Sequence, residues 1–207
     1  MAALLDRYSE PYDPRRPTSC FDELPYQLVA ETRRPRPARP GRPARADYEY
    51  RRGGTANVFV CCQPQAGWRH VTVTERRPKR DFAQQMRALV DVHYPAATVI
   101  RVVLDNLNTP TGGALYEACP PAAARRWLRK LEFHYTPKHG SWLNQAAIEL
   151  SVLSRQCLAR RIGDRQTLAT EVAAWEQERN RARSLIHWRF TTAAAPTTLP
   201  HGYPTSS

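Results

Sequence analysis

The chain's apolar and polar positions fall into clear periods from residue 57 onward. Val71 and Val73 alternate with Thr72 and Thr74, a period of two that marks a half-buried strand. Asn57–Gln63 and Trp68–Thr74 predict two strands, and Pro64, Gln65, Ala66 and Gly67 between them predict the turn of a hairpin. Phe82, Met86, Leu89, Val90 and His93 recur at helical spacing. They predict an amphipathic helix over 82–94, with Asp81 as its N-cap and Pro95 as its stop. Thr98–Leu104 is apolar on both faces, as in an interior strand, and it ends at Asp105. Pro121 starts a helix through 122–130, and Leu131–Tyr135 reads as a short strand. Ser141 then caps a helix beginning near Trp142, with Leu143, Ile148, Leu150, Leu153, Cys157 and Leu158 as its apolar positions. A last helix over 165–182 sets Leu168, Val172 and Trp175 on one face. Upstream, Thr18–Asp22 reads as a short strand ending in an acid.

This order, a strand, a hairpin and then strands alternating with helices, predicts an α/β fold with a mixed five-stranded sheet flanked by helices. The ribonuclease-H-like fold has this order. The chain divides into a polar, Pro-rich leader over 1–17, a domain over 18–190 and a disordered tail over 191–207.

Charge changes the picture between Arg33 and Arg52. Arg33, Arg34, Arg36, Arg39, Arg42, Arg45, Arg51 and Arg52 face only Asp47 and Glu49, so this insertion carries half of the net +12. Its four prolines predict an extended, solvated segment. It reads equally as an arm that grips phosphates or as a solvated loop. The overall surplus points to a polyanionic partner, nucleic acid first. A second basic run, Arg155, Arg160, Arg161 and Arg165, reads as phosphate contact or as a solvated face. Five cysteines, odd in number and without a CxxC pair, give no disulfide framework and predict reduced thiols. Cys61 and Cys62 are adjacent and belong on opposite faces of a strand. With no signal-peptide core and no run long enough to span a bilayer, the expectation is a cytoplasmic protein without a membrane partner.

Candidate chemistry lies at two strand ends. If the strands ending at Asp22 and Asp105 pair side by side, their carboxylates meet. Hard divalent cations take such oxygen ligands, and two-metal sites built on them cleave phosphodiesters. An Asp followed by Asn-x-Asn-Thr is also an ordinary turn.

Longer strings carry a resemblance. PYDPRRP and CFDE stand near the start, followed by PGRPARADYEYRRGGTANVF, AGWRHVTVTERR and VVLDNLNT. LEFHYTPKHGSWLN, IELSVLSRQCLARRI and NRARSLIHWRFTT complete the series in order. The chain resembles bacterial insertion-sequence transposases of the mariner superfamily over about residues 5–192. That resemblance implies a ribonuclease-H-like endonuclease domain with Mg²⁺ or Mn²⁺. It implies cleavage at transposon ends and strand transfer into target DNA, with a homodimer or an intact transposase as protein partner. It also implies a bacterial cytoplasmic location, at the nucleoid when DNA is bound. Asp22 and Asp105 match the first two family carboxylates. The third belongs three residues after the Asn of WLN, where this chain has Ala147. Glu149 is two residues further, about 200° around a helix. Against the resemblance, Pro110 stands where His is usual, and the expectation is that the helix-turn-helix modules and the basic ending have been lost. A truncated remnant with impaired cleavage is the expectation, and a non-catalytic DNA-binding or dimerising remnant is the alternative. Lys138 and His139, before the third-acid helix, are candidate DNA contacts or simple turn formers. The tryptophans, Trp142 included, read as packing anchors.

Overall fold

A computed structural model describes residues 2–33, 38–43, 48–75, 78–105 and 112–190. Five strands form one mixed sheet in the order β3-β2-β1-β4-β5. They are β1 (Thr18–Glu31), β2 (Tyr50–Gln63), β3 (Trp68–Thr74), β4 (Ile100–Leu104) and β5 (Leu131–Tyr135). β1 runs antiparallel to β2, and β2 to β3, whereas β4 is parallel to both β1 and β5. Parallel neighbours need a crossover, and helices α2 (Pro78–Ala88), α3 (Gly113–Ala118) and α4 (Pro121–Leu128) supply the two crossovers.

Alternation splits the core in two. Cys20, Val58, Val60, Cys62 and Val103 face α5 (Ala146–Gln156) and α6 (Arg165–Arg181) on one side. Phe21, Phe59, Cys61, Val102 and Leu104 face α2, α3 and α4 on the other. The adjacent cysteines of β2 therefore point to opposite layers, as period two requires.

Several local expectations change. The first residues form helix α1 (Ala2–Ser9), which buries Leu4 and Leu5 in the α5 layer. α2 starts at Pro78, so Asp81 sits within its first turn and accepts a 2.7 Å hydrogen bond from Thr74 Oγ1 instead of capping. Leu89–His93 continues α2 as a π-helical turn. Ser141 opens a 3₁₀ turn (Ser141–Leu143), and α5 begins only at Ala146. The hairpin turn holds as expected: Pro64–Ala66 is one 3₁₀ turn, closed by Gly67 in the left-handed region.

The largest difference is the length of β1, expected to stop at Asp22. It continues to Glu31, because β2 starts at Tyr50 inside the Arg-rich segment and pairs with it throughout. β3 pairs only with Asn57–Gln63 of β2, so Tyr26–Glu31 and Tyr50–Ala56 leave the sheet as a two-stranded ribbon. The ribbon bends where the register shifts between Leu28 and Val29, opposite Gly53 and Gly54. The α5–α6 loop closes against that bend. Val29 N donates to Ile162 O at 2.8 Å, and Arg161 Nη1 pairs with Glu31 Oε2 at 2.6 Å. Further out, Arg39 and Arg42 exchange backbone hydrogen bonds around Pro40-Gly41, with Gly41 at φ +72° as a type II turn requires. Arg34, Arg36, Arg45 and the expected tail lie outside the described residues.

A Cβ at Gly53 would lie 2.2 Å from the Gly163 carbonyl oxygen. Gly53→Ala is therefore expected to lower stability by about 1–3 kcal/mol through overpacking of this bend, read as a shift in the denaturant midpoint.

Candidate active site and its flanking ion pairs

β1 and β4 bring together Asp22, inside the long β1, and Asp105, which directly follows β4. Cys20 is level with Val103 in the parallel register, and two further residues on each chain reach Asp22 and Asp105. Adjacent strands lie about 4.8 Å apart. Asp22 and Asp105 share parity with Cys20 and Val103, so they project toward the α5 layer. Asp22 Oδ1 accepts from its neighbour Glu23 N at 2.8 Å. Thr136 Oγ1 donates to Asp105 Oδ1 at 2.5 Å. Thr136 follows β5 directly and stands level with Asp105, because Leu104 pairs with Tyr135. The signal for Thr136 was therefore present in the matched ends of two neighbouring strands.

Burial pushes the Asp22 carboxyl up to about 6, against the Glu23 amide, and the Asp105 carboxylate adds to the rise. Two carboxylates side by side on neighbouring strands, one of them desolvated, favour a proton or a cation between them. Two carboxylates with a hydroxyl behind them suit a hard divalent ion, which takes oxygen ligands and keeps several waters. Among the described residues, no cluster of three or more His, Cys, Asp or Glu stands ready for a metal.

The start of α5 is fixed beside this pair by Asn144, which the sequence reading used only as a reference point. Its Nδ2 donates to Phe21 O at 2.9 Å, and its Oδ1 accepts from Ala146 N at 3.2 Å. One side chain thus ties the helix start to the residue before Asp22. Ala147 lies in the first turn of α5 and is half-buried.

Glu149 goes elsewhere. It is 0% exposed and pairs with two arginines. Arg69 Nη2 donates to its Oε1 at 3.2 Å, and Arg69 Nε makes a 3.2 Å ion contact with Oε2 without hydrogen-bond alignment. Arg179 Nη2 donates to Oε1 at 2.9 Å and Nε to Oε2 at 3.2 Å. Asn180 completes the group, accepting from Arg69 N at 2.9 Å and donating to Arg69 O at 2.7 Å. As a doubtful third ligand Glu149 is thus corrected: both carboxylate oxygens are engaged by guanidinium groups of β3 and α6. The reason is angular, since residues 146, 149, 150 and 153 form the inward stripe of α5. Arg69 was missed, although it shares the face of Val71 and Val73 in a period-two strand. A charge on an apolar face requires a buried partner.

The basic candidates separate by partner. Lys138, His139, Arg155, Arg33, Arg39 and Arg42 have solvent-exposed side chains. His139 adopts φ +64°, which favours its reading as a turn former. Arg160 pairs with Glu171 and Arg165 with Glu75, both at the surface. Arg161 braces the ribbon and lies 5.7 Å over the Tyr50 ring. No helix among the described residues is long and apolar enough to cross a membrane.

The model of the DDE superfamily endonuclease family matches residues 17–169. The chain belongs to that family. No curated protein matches it in sequence. Among solved structures, this DDE chain is similar to the Mos1 mariner paired-end complex with Mn (TM-score 0.54, 17% identity, 88% of this chain and 54% of that one). It is also similar to the Mos1 transposase paired-end complex with left transposon end (0.52, 18%, 87% and 55%). The Mos1 strand transfer complex is a third (0.50, 17%, 87% and 54%). The shared fold is the ribonuclease-H-like one expected from the strand order, and the chain spans about half the length of these relatives.

Two outcomes follow. Removing one partner of the buried pairs, as in Glu149→Gln or Arg69→Met, is expected to cost about 3–5 kcal/mol, whereas the combined Arg69→Met/Glu149→Leu variant recovers part of that loss in denaturant unfolding. Asp22 binds its proton more tightly folded than unfolded, so its contribution is present below about pH 4 and is lost as pH rises through about 6. In metal-free protein, Asp22→Asn should therefore raise Tm at pH 7 and leave it nearly unchanged at pH 4.

Proposed function

We propose that this chain is the catalytic domain of a DNA transposase in which Asp22 and Asp105 hold a divalent cation, Mg²⁺ or Mn²⁺, at the scissile phosphate. The observation that carries this reading is the pair of carboxylates level with each other on adjacent parallel strands, one of them desolvated and pushed up to about 6. When bound, the cation activates an attacking oxygen and neutralises charge on the leaving one. The chain's own residues do the rest. Thr136 orients the Asp105 carboxylate, and Asn144 fixes the helix start next to Asp22. Arg33, Arg39, Arg42, Lys138 and Arg155 offer charge to the DNA backbone, the contact that dominates affinity and makes it salt-dependent, with His139 in the turn beside Lys138. Arg34, Arg36 and Arg45 extend the same basic segment. Arg161 acts indirectly, by holding the ribbon that carries the arm. One of the Mos1 complexes contains a transposon end, and we carry that class of substrate to this chain. A second copy of the chain or an intact transposase is its protein partner.

Ala147 limits the chemistry. In this reading it occupies the place of the third carboxylate, and Glu149 does not compensate because its oxygens are spent on Arg69 and Arg179. Cleavage is then feeble. The same observation favours a second reading, a DNA-binding or dimerising chain that no longer cuts.

A Mn²⁺-dependent nicking assay on supercoiled plasmid separates the two. Ala147→Glu is expected to raise nicking by about 10²–10³-fold, the usual worth of one missing electrostatic partner. Asp22→Asn should remove the residual activity of the unmodified chain. Nicking that survives Asp22→Asn, or an Ala147→Glu variant no better than its parent, would count against the proposed site.

A further inference from the structure

The segment between β5 and α5 is hung at both ends beside the acid pair. At one end Thr136 Oγ1 donates to Asp105 Oδ1. At the other, Asn144 Nδ2 donates to Phe21 O, one residue before Asp22. The chain between them is wound into successive turns. Gly140 N donates to Pro137 O at 2.8 Å, Leu143 N to Gly140 O at 3.0 Å and Asn144 N to Ser141 O at 2.8 Å. A Cβ on Gly140 would lie 2.6 Å from Pro137 Cγ, so the first turn is closely packed. A segment pinned in this way has little freedom to move relative to Asp22 and Asp105.

Its outward side carries charge and one large ring. Lys138 and His139 have exposed side chains. Trp142 is 41% exposed, although Gly140, Leu143 and Asn144 around it are buried. The indole is nonetheless held. Trp188 lies nearly parallel to it, at 6.4 Å and 16°, and Phe190 meets it edge-on at 5.1 Å and 82°. Both supporting rings are half-buried. Tyr8 backs Trp188 at 5.5 Å, and its hydroxyl donates to Leu143 O at 2.8 Å. Arg189, between the two supporting residues, has an exposed side chain. A packing role accounts for the rings behind Trp142, but not for the part of it left in water.

An indole at the surface but fixed in orientation is prepared for stacking, because little rotamer freedom remains to be lost on contact. Nucleic-acid bases offer the matching flat face, and cations beside the ring attract the phosphates that connect them. Within a duplex each base is already stacked, so an unpaired base has the free face. At most about 7 Å of chain separates Trp142 from Asn144. A base on the indole therefore belongs to a nucleotide close to the phosphate at the acid pair.

We propose that Trp142 is a stacking platform for an unpaired base next to the phosphate held at Asp22 and Asp105, with Lys138 and Arg189 on the flanking phosphates. Trp188 and Phe190 position the ring from behind. The inference rests on the reading of the chain as a DNA-processing domain.

Two labelled single strands of equal length test it, one carrying bases and one fully abasic, with a duplex as third probe. Each is bound to the full chain without divalent metal. The two single strands carry the same phosphates and differ only in the faces that can stack. Trp142→Leu is expected to weaken binding of the base-bearing strand about tenfold and to leave the abasic strand and the duplex unchanged. Trp142→Phe, which keeps a ring and perturbs folding less, should show a smaller loss, again confined to the base-bearing strand. A fall in the folded fraction would weaken all three probes alike, so the difference between the single strands reads stacking alone. Equal losses on the two single strands, or none on either, would overturn the proposal. Duplex binding with no difference between the single strands overturns the platform and leaves the transposase reading standing. Failure of the unmodified chain to bind any of the three overturns both.

Discussion

The buried pairing of Glu149 with Arg69 and Arg179 is the constraint on which the rest of this architecture depends. It joins an edge strand, β3, to both helices of one layer. Two guanidinium groups around one carboxylate leave α5 little freedom to rotate, because any turn of the helix would strip a charge of its partner in a dry interior. With the inward stripe thus fixed, the flank carrying Ala147 is fixed as well. Asn144 sets the axial position of the same helix against β1. Rotation and height are therefore controlled by two different polar anchors, and both lie within a few residues of the acid-bearing strand.

This arrangement explains why Glu149, a doubtful ligand by its spacing, is a structural charge. A carboxylate in the first turns of a helix beside an acid pair invites a metal reading. Yet both Glu149 oxygens already accept hydrogen bonds from arginine, which leaves little for a cation. The net surplus of +12 is distributed in the same way. Arg69, Arg101, Arg160, Arg161, Arg165 and Arg179 are matched to acids within the fold. Among the described residues, Arg39, Arg42, Lys138 and Arg155 carry exposed positive charge.

Much of the sheet was legible in the sequence because its signals are local. The β2–β3 hairpin needed only alternation and a Pro/Gly turn, and β5 was bounded by polar residues on both sides. β4 announced itself as an apolar run ending in an acid. The meeting of Asp22 and Asp105 followed from assuming that their strands are neighbours, which the register bears out. What could not be read locally was set by tertiary contact. The outer half of β1 has a mixed composition, and only pairing with an equally polar β2 makes it a strand. α1 looked like a leader because two leucines among polar residues carry no periodicity until a cavity exists to receive them. Ser141 was a plausible cap, but Asn144 holds the helix start more firmly by bridging to another strand.

The bend at Gly53 and Gly163 has a mechanical consequence. Beyond it the ribbon is a cantilever: two strands wide, clamped at its root by backbone packed on backbone, and exposed at Arg51 and Arg52. Stiffness in such a beam resides at the root, whereas reach and charge are set at the tip. Sequence drift in the arm can therefore change what it touches without disturbing the sheet. A single methyl group at the root would re-aim the whole lever.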